Sequence, residues 1–109
     1  MEPQVLHDAE HRRFYCEVDG FECFMTYEIL EDGVVDFDHT FTPPDIRGRG
    51  FAGAVVAKAF EYAREAGWKV VPGCSYVHSW VLRNPDYFPL LFDKKDGGSY
   101  NMRCKIGRE

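Results

Sequence analysis

Apolar and polar residues alternate from Phe14 to Val18, which sets Phe14, Cys16 and Val18 on one side of an extended chain. Asp19-Gly20 supplies a hairpin turn, and a second alternating run from Phe21 to Leu30 follows. Phe21, Cys23, Met25, Tyr27 and Ile29 occupy one face of that run, and Glu22, Phe24, Thr26, Glu28 and Leu30 the other. Neither face is wholly polar, so part of both is expected to be covered. Asp32-Gly33 turns the chain again. In a third strand Val35, Phe37, His39 and Phe41 alternate with Val34, Asp36, Asp38 and Thr40. Pro43-Pro44 ends it, because proline donates no ladder hydrogen bond.

The period then changes. Ala52, Val55, Val56, Ala59, Phe60 and Ala63 recur on one helical face, with Lys58, Glu61, Arg64 and Glu65 mostly turned away and Gly67 placed for a left-handed cap. Alanines on the buried stripe let this helix lie close to a sheet. Trp68 to Val71 reads as a short buried strand, so a strand, helix, strand crossover puts one parallel pair beside the antiparallel meander. Ser75 is placed to cap a second helix from about Tyr76 to Arg83, with Val77, Trp80 and Val81 as its apolar side and Asn84-Pro85 as its stop. Beyond it Tyr87 to Phe92 is apolar, and Tyr100, Met102, Cys104 and Ile106 alternate with polar residues, which predicts a terminal hairpin. The expectation is one α/β (α+β) domain over residues 1–109, with a mixed sheet and a flexible N-terminus over residues 1–12.

Composition narrows the partners. Against 18 Asp and Glu there are 13 Lys and Arg, a formal charge of −5, which argues against a sequence-independent grip on nucleic acid or on an anionic membrane surface. No apolar run suits a signal peptide or a membrane span, and a cytoplasmic location is expected. Cys16, Cys23, Cys74 and Cys104 form no CxxC pair, which suits reduced thiols better than a disulfide framework; zinc held by Cys74 with His39 or His78 lacks the usual ligand spacing.

The loop between the third strand and the first helix carries the chemistry. Arg47-Gly48-Arg49-Gly50-Phe51-Ala52-Gly53 combines glycines, which allow positive φ and close approach, with the unpaired first amides of a helix. It is a candidate anion cradle. Gly48 to Gly53 matches GxGxxG literally, but a dinucleotide fold needs an acidic residue about 20 positions on, and there is no Asp or Glu between Glu65 and Asp86. A P-loop fails as well, for want of Gly-Lys-Ser or Gly-Lys-Thr.

From Arg47 the segment is Arg-x-x-Gly-x-Ala, which resembles the acetyl-CoA signature of the GNAT superfamily of acetyltransferases, and the predicted element order agrees with that fold. More narrowly, His39-Thr40-Phe41-Thr42-Pro43-Pro44, Arg47-Gly48-Arg49-Gly50, Val70-Val71-Pro72 and Cys74-Ser75-Tyr76 look like the small YjdJ-type branch. Residues from Phe88 onward depart from that branch. The resemblance implies that the amides of Arg49, Gly50, Phe51, Ala52 and Gly53 bind the CoA pyrophosphate, with Arg47 and Arg49 available to its phosphates. It implies a pantetheine arm between the third strand and the strand ending at Val71, and Cys74 as the active-site residue.

Cys74 precedes a helix N-terminus, which favours a thiolate there. It reads as a nucleophile that takes the acetyl group, as an acid that protonates the departing CoA thiolate, or as a small buried core residue. His39, Asp38 and Glu28 are candidates for the base, and histidine is the best matched to neutral pH; sharing the face of Phe37 and Phe41, His39 also reads as a structural residue. Tyr76 and Tyr87 are candidate donors to the thiolate or core aromatics. The reading is an acetyl-CoA-dependent N-acetyltransferase acting on a primary amine of a small molecule or peptide, as a monomer or weak homodimer. The alternative is a CoA-binding sensor or interaction module of the same fold, and a cysteine hydrolase built from Cys74, His39 and Asp38 ranks below both.

Overall fold

The computed structural model describes residues 4–92, so the turn and second arm of the expected terminal hairpin, residues 93–106, lie outside the described residues. Among the described residues five strands form one sheet in chain order: β1 (Leu6–Asp8), β2 (Arg13–Val18), β3 (Phe21–Glu31), β4 (Val34–Phe41) and β5 (Lys69–Val71). The first four pair antiparallel, as the tight Asp19-Gly20 and Asp32-Gly33 turns require, and β5 lies parallel to β4 after the helical crossover.

The N-terminus departs from expectation. Residues 6–8 are an edge strand on β2 rather than a loose end. Their polar sequence hides the reason, which is tertiary: the His7 ring stacks on Phe14 at 4.2 Å and its Nε2 lies 2.7 Å from the Tyr27 hydroxyl.

Helix α1 (Phe51–Ala66) buries Val55, Val56, Ala59, Phe60 and Ala63 against the sheet, and Gly67 ends it at φ 77°. Phe60 anchors the layers: its ring meets Phe37 of β4 at 5.1 Å and stacks on Trp80 at 5.5 Å. Trp80 belongs to α2 (Ser75–Leu82), so both helices cover one face of the sheet. Cys74, not Ser75, is the N-cap of α2, because the Cys74 N–H donates to the Phe37 carbonyl at 3.0 Å and holds that residue extended. Where the first arm of a hairpin is expected over Tyr87–Phe92, the chain instead forms a 3-10 segment, Pro85–Leu90, since Pro85 and Pro89 cannot donate to a ladder, and Leu91 bridges Val70 in parallel.

Two irregularities reset the alternation. Thr26 pairs with His39 while Tyr27 pairs with Phe37, so Asp38 is an extra residue in β4; Leu30 is likewise extra in β3. Past Asp38 the faces exchange. Thr40, opposite buried Met25, turns to the helical side, whereas His39 and Phe41 lie with Thr26 and Phe24 on the other. The expected common face of Phe37, His39 and Phe41 is therefore broken.

Candidate active site

The chain leaves β4 at Pro43-Pro44, makes a 3-10 turn over Pro44–Ile46 and enters the glycine loop. Gly48 and Gly50 adopt φ of 82° and 87°, where a side chain is strained, and a Cβ at either would have no atom within 4 Å. Gly50 is the N-cap of α1 and offers no side chain to the helix, and the first turn contains no acidic residue. The first helical bond runs from the Ala54 N–H to the Gly50 carbonyl at 3.1 Å. Phe51, Ala52 and Gly53 thus have amides without an intrahelical acceptor, at the positive end of a 16-residue helix.

The two loop arginines behave differently. Arg47 folds back, donating from Nη2 and Nε to the Thr42 carbonyl at 3.0 and 3.3 Å, so it braces the end of β4 as well as carrying charge. Arg49 reaches Asp19 at 3.4 Å and lies over the Phe51 ring at 5.1 Å. Such an exposed pair contributes about 0–1 kcal/mol, too little to hold Arg49 from a phosphate. Gly53 faces inward: a Cβ there would lie 3.4 Å from the Tyr76 hydroxyl and 3.6 Å from Trp80 Nε1, so this glycine sits where α1 and α2 meet.

Strands β4 and β5 are paired from Val34↔Lys69 to Asp36↔Val71 only. Beyond that, Pro72 and Gly73 turn the chain towards α2, and the strands part. Cys74 stands at the opening, half-buried, with Sγ 3.5 Å from Thr40 Oγ1. The Tyr76 hydroxyl, in the first turn of α2, makes no hydrogen bond among the described residues, and burial pushes its pKa up. Cys23 is buried with Sγ 3.3 Å from Thr42 Oγ1, and its thiol is also pushed up by burial.

The other candidates separate from this cluster. His39 is exposed on the opposite face of β4 from Thr40, with the Phe24 ring at 6.2 Å. Asp38 accepts a hydrogen bond from Thr26 Oγ1 at 2.6 Å on the bulge, and Glu28 is exposed. Tyr87 donates to Glu61 of α1 at 2.5 Å and so is engaged away from the opening. His78 donates its backbone N–H to the Cys74 carbonyl at 2.9 Å. Thr40 and Asp36 join the site without a signal in the sequence. Thr40 is reached only by counting the bulge, and Asp36 only through its contact with Gly73; nothing local marks either.

A mixed sheet that parts between its fourth and fifth strands, with an uncapped helix at the parting, is the architecture of an acetyltransferase fold of the GNAT type. The family of GCN5-related N-acetyl-transferases matches residues 13–90, and the chain belongs to that family. Protein NATD1 of Gallus gallus is 32% identical over 84 residues, covering 75% of this chain and 76% of that protein, and NATD1 of Homo sapiens is 31% identical over the same length. An uncharacterized N-acetyltransferase of Methanocaldococcus jannaschii is 35% identical over 65 residues, 53% of this chain and 29% of that protein. In shape, the chain resembles a GCN5-like protein of Staphylococcus aureus solved by NMR, with a TM-score of 0.62 at 19% identity, covering 84% of this chain and 89% of that one. That likeness concerns the fold alone.

Proposed function

We propose that this protein is an acetyl-CoA-dependent N-acetyltransferase for primary amines. One observation carries the reading: the open, uncapped N-terminus of α1 packs through Gly53 beside Tyr76 of α2, and Cys74, the N-cap of α2, stands just past the end of the β4–β5 pairing. The cradle fits a diphosphate, since Gly48 and Gly50 present bare backbone to open space and no carboxylate occupies the first turn. The amides of Arg49, Gly50, Phe51, Ala52 and Gly53 would hold the pyrophosphate, with Arg47 and Arg49 adding charge. Acetyl-CoA supplies an activated acetyl thioester. The narrower YjdJ-type assignment belongs to this proposal too and rests on the motif blocks.

The residues around the opening divide the proton chemistry between the two faces of β4. Cys74 and Thr40 face the helical side, and Cys74 is the group placed to give a proton to a departing thiolate; the same sulfur is the nucleophile if transfer passes through an acetyl-cysteine. His39 is exposed on the opposite face, from which an amine would approach, and takes the proton that the amine loses. An acidic chain favours a cationic acceptor through steering. A location in the cytoplasm and a monomeric or weakly dimeric state complete the proposal. The separation of His39 from Cys74 favours, as a second reading, a CoA-binding module with weak catalysis.

Calorimetric titration with acetyl-CoA, followed by turnover against a panel of amines and lysine peptides, tests both readings. Binding with turnover is expected. Binding without turnover supports the module, and no binding overturns both. Replacing Cys74 with Ala is expected to leave acetyl-CoA affinity within about twofold and to lower kcat by about 10²-fold or more, the range for losing a proton-transfer group.

A further inference from the structure

We infer that Asp36 is a positioning residue for Cys74: its carboxylate holds the turn that ends the β4–β5 pairing and sets the thiol at the mouth of the opening. The inference rests on the proposed acetyl transfer for its functional consequence, and on geometry for the rest.

Asp36 is a charged residue only 5% exposed in the middle of β4, flanked by Val35 and Phe37. A carboxylate in such a place needs hydrogen-bond donors to offset its desolvation. The Gly73 amide is one of them. Its N–H points at Asp36 Oδ1, 3.1 Å away, and is shared with the Val71 carbonyl at 3.0 Å. Asp36 is also the last residue of β4 in register with β5, opposite Val71. The side chain thus captures the amide that follows the end of the ladder. The next amide, that of Cys74 itself, returns to β4 and donates to the Phe37 carbonyl at 3.0 Å.

The capture is tight enough to dictate the sequence at position 73. A Cβ on Gly73 would overlap Asp36 Oδ1 and come within 2.9 Å of its Cγ, so the carboxylate occupies the place a side chain would need. Gly73 therefore does not serve as a flexible joint. It is the one residue type that lets Asp36 reach the amide. The amides of Gly73 and Cys74 donate to two adjacent buried residues of β4, the Asp36 carboxylate and the Phe37 carbonyl, and so fix the turn after Pro72. Cys74 enters α2 as its N-cap from this clamp, with its sulfur directed at Thr40, further along β4. Loss of the clamp frees the turn without touching the cradle on α1.

Three full-length proteins test this: wild type, Asp36→Ala and Asp36→Asn. The first readout needs no activity: the rate at which iodoacetamide alkylates Cys74 in the free protein, followed by peptide mass mapping. Asp36→Ala is expected to raise that rate by about threefold or more, as local opening exposes the sulfur. Asp36→Asn, which keeps an acceptor oxygen, is expected to stay within about twofold of wild type. The second readout is the split of kinetic constants. Asp36→Ala is expected to lower kcat on the order of 10²-fold, the scale of a misplaced reacting group, with KM for acetyl-CoA nearly unchanged and with rescue by Asp36→Asn. Wild-type alkylation and kcat in Asp36→Ala overturn the inference, as does an Asp36→Asn protein as impaired as Asp36→Ala. Should Asp36→Ala not fold, the wild-type Gly73 amide decides by NMR: slow exchange and a shift that titrates with a carboxylate support the clamp, and fast exchange with no titration overturns it. If no amine is acetylated by the wild type, the proposed activity fails while the alkylation and NMR readouts still judge the clamp.

Discussion

Gly50 and Gly67 bracket α1 in nearly the same conformation, at φ 87° and 77°, and this symmetry separates the conformational role of a glycine from its role at the site. A Cβ at either position would meet no atom within 4 Å, so substitution by Ala brings no clash with the rest of the chain. What remains is the cost of holding an L-residue in the left-handed region, about 1–2 kcal/mol. Part of it is offset by the lower entropy of the unfolded alanine chain, roughly 0.4–1 kcal/mol. Each variant should therefore lose about 1 kcal/mol, or ~4–8 °C in Tm for a domain near this size. Binding should distinguish them. A methyl group at Gly50 projects into the open side of the cradle, where backbone must approach the diphosphate closely, and a tenfold or greater loss of acetyl-CoA affinity, about 1.4 kcal/mol, is expected. Gly67→Ala, at the other end of a 16-residue helix, should bind as wild type does. Differential scanning fluorimetry and calorimetric titration measure the two quantities. Equal affinities for the two variants would refute the assignment of the cradle, and an unchanged Tm in both would refute the left-handed geometry.

Three other outcomes are expected. Arg47→Glu should abolish measurable acetyl-CoA binding, because it removes a cation from the loop and breaks the brace on the Thr42 carbonyl; titration with full affinity retained would remove Arg47 from the site. Phe60→Ala deletes a fully buried ring between Phe37 and Trp80 and should cost about 3–5 kcal/mol in urea unfolding, so a loss under ~1 kcal/mol would contradict the packing described. Burial lowers the pKa of His7, although neighbouring Asp8 opposes it, so the unfolded chain binds a proton that the folded one resists. Stability from His7 is then complete above about pH 6.5 and falls as pH drops below that value. His7→Phe, which keeps an aromatic ring over Phe14, should flatten that part of the Tm profile, and an unaltered profile would assign the dependence to other groups.

Much of the scaffold is legible in the sequence for local reasons. Asp-Gly turns bound the strands, period-2 alternation identifies β2 and β3, and the helical spacing of Val55, Val56, Ala59, Phe60 and Ala63 by itself marks the buried face of α1. The glycine loop is legible because its chemistry is in the backbone and needs no distant partner. Strand β1 is not, since Leu6-His7-Asp8 has no strand pattern and is held by rings of Phe14, Tyr27 and Tyr62 that meet only in three dimensions. The Asp36–Gly73 contact is hidden in the same way: an acidic residue in a strand and a glycine after a proline are each ordinary until they touch.

The bulge at Asp38 is the feature on which the division of the site depends. In a regular strand every second residue shares a face, and His39 would join Phe37 beneath the helices while Thr40 pointed away. One extra residue reverses this, and no residue type announces it, because a bulge can accommodate almost any side chain. Asp38 fits the position because its carboxylate accepts the Thr26 hydroxyl on the open face at 2.6 Å, a local partner for a residue left out of the ladder. Thr40 then meets the Cys74 sulfur from the helical side, and His39 is exposed on the other face. On the proposed mechanism, the thiol would protonate the departing thiolate from the helical side and the imidazole would take the proton of the amine from the other, across a sheet whose β4–β5 pairing ends at Asp36. A strand that kept its phase would place both imidazole and thiol on the covered side and leave the amine without a base. On that mechanism the bulge and the parting of the strands would be two halves of one arrangement: the first sorts the side chains onto the two faces, and the second would let both reach one substrate.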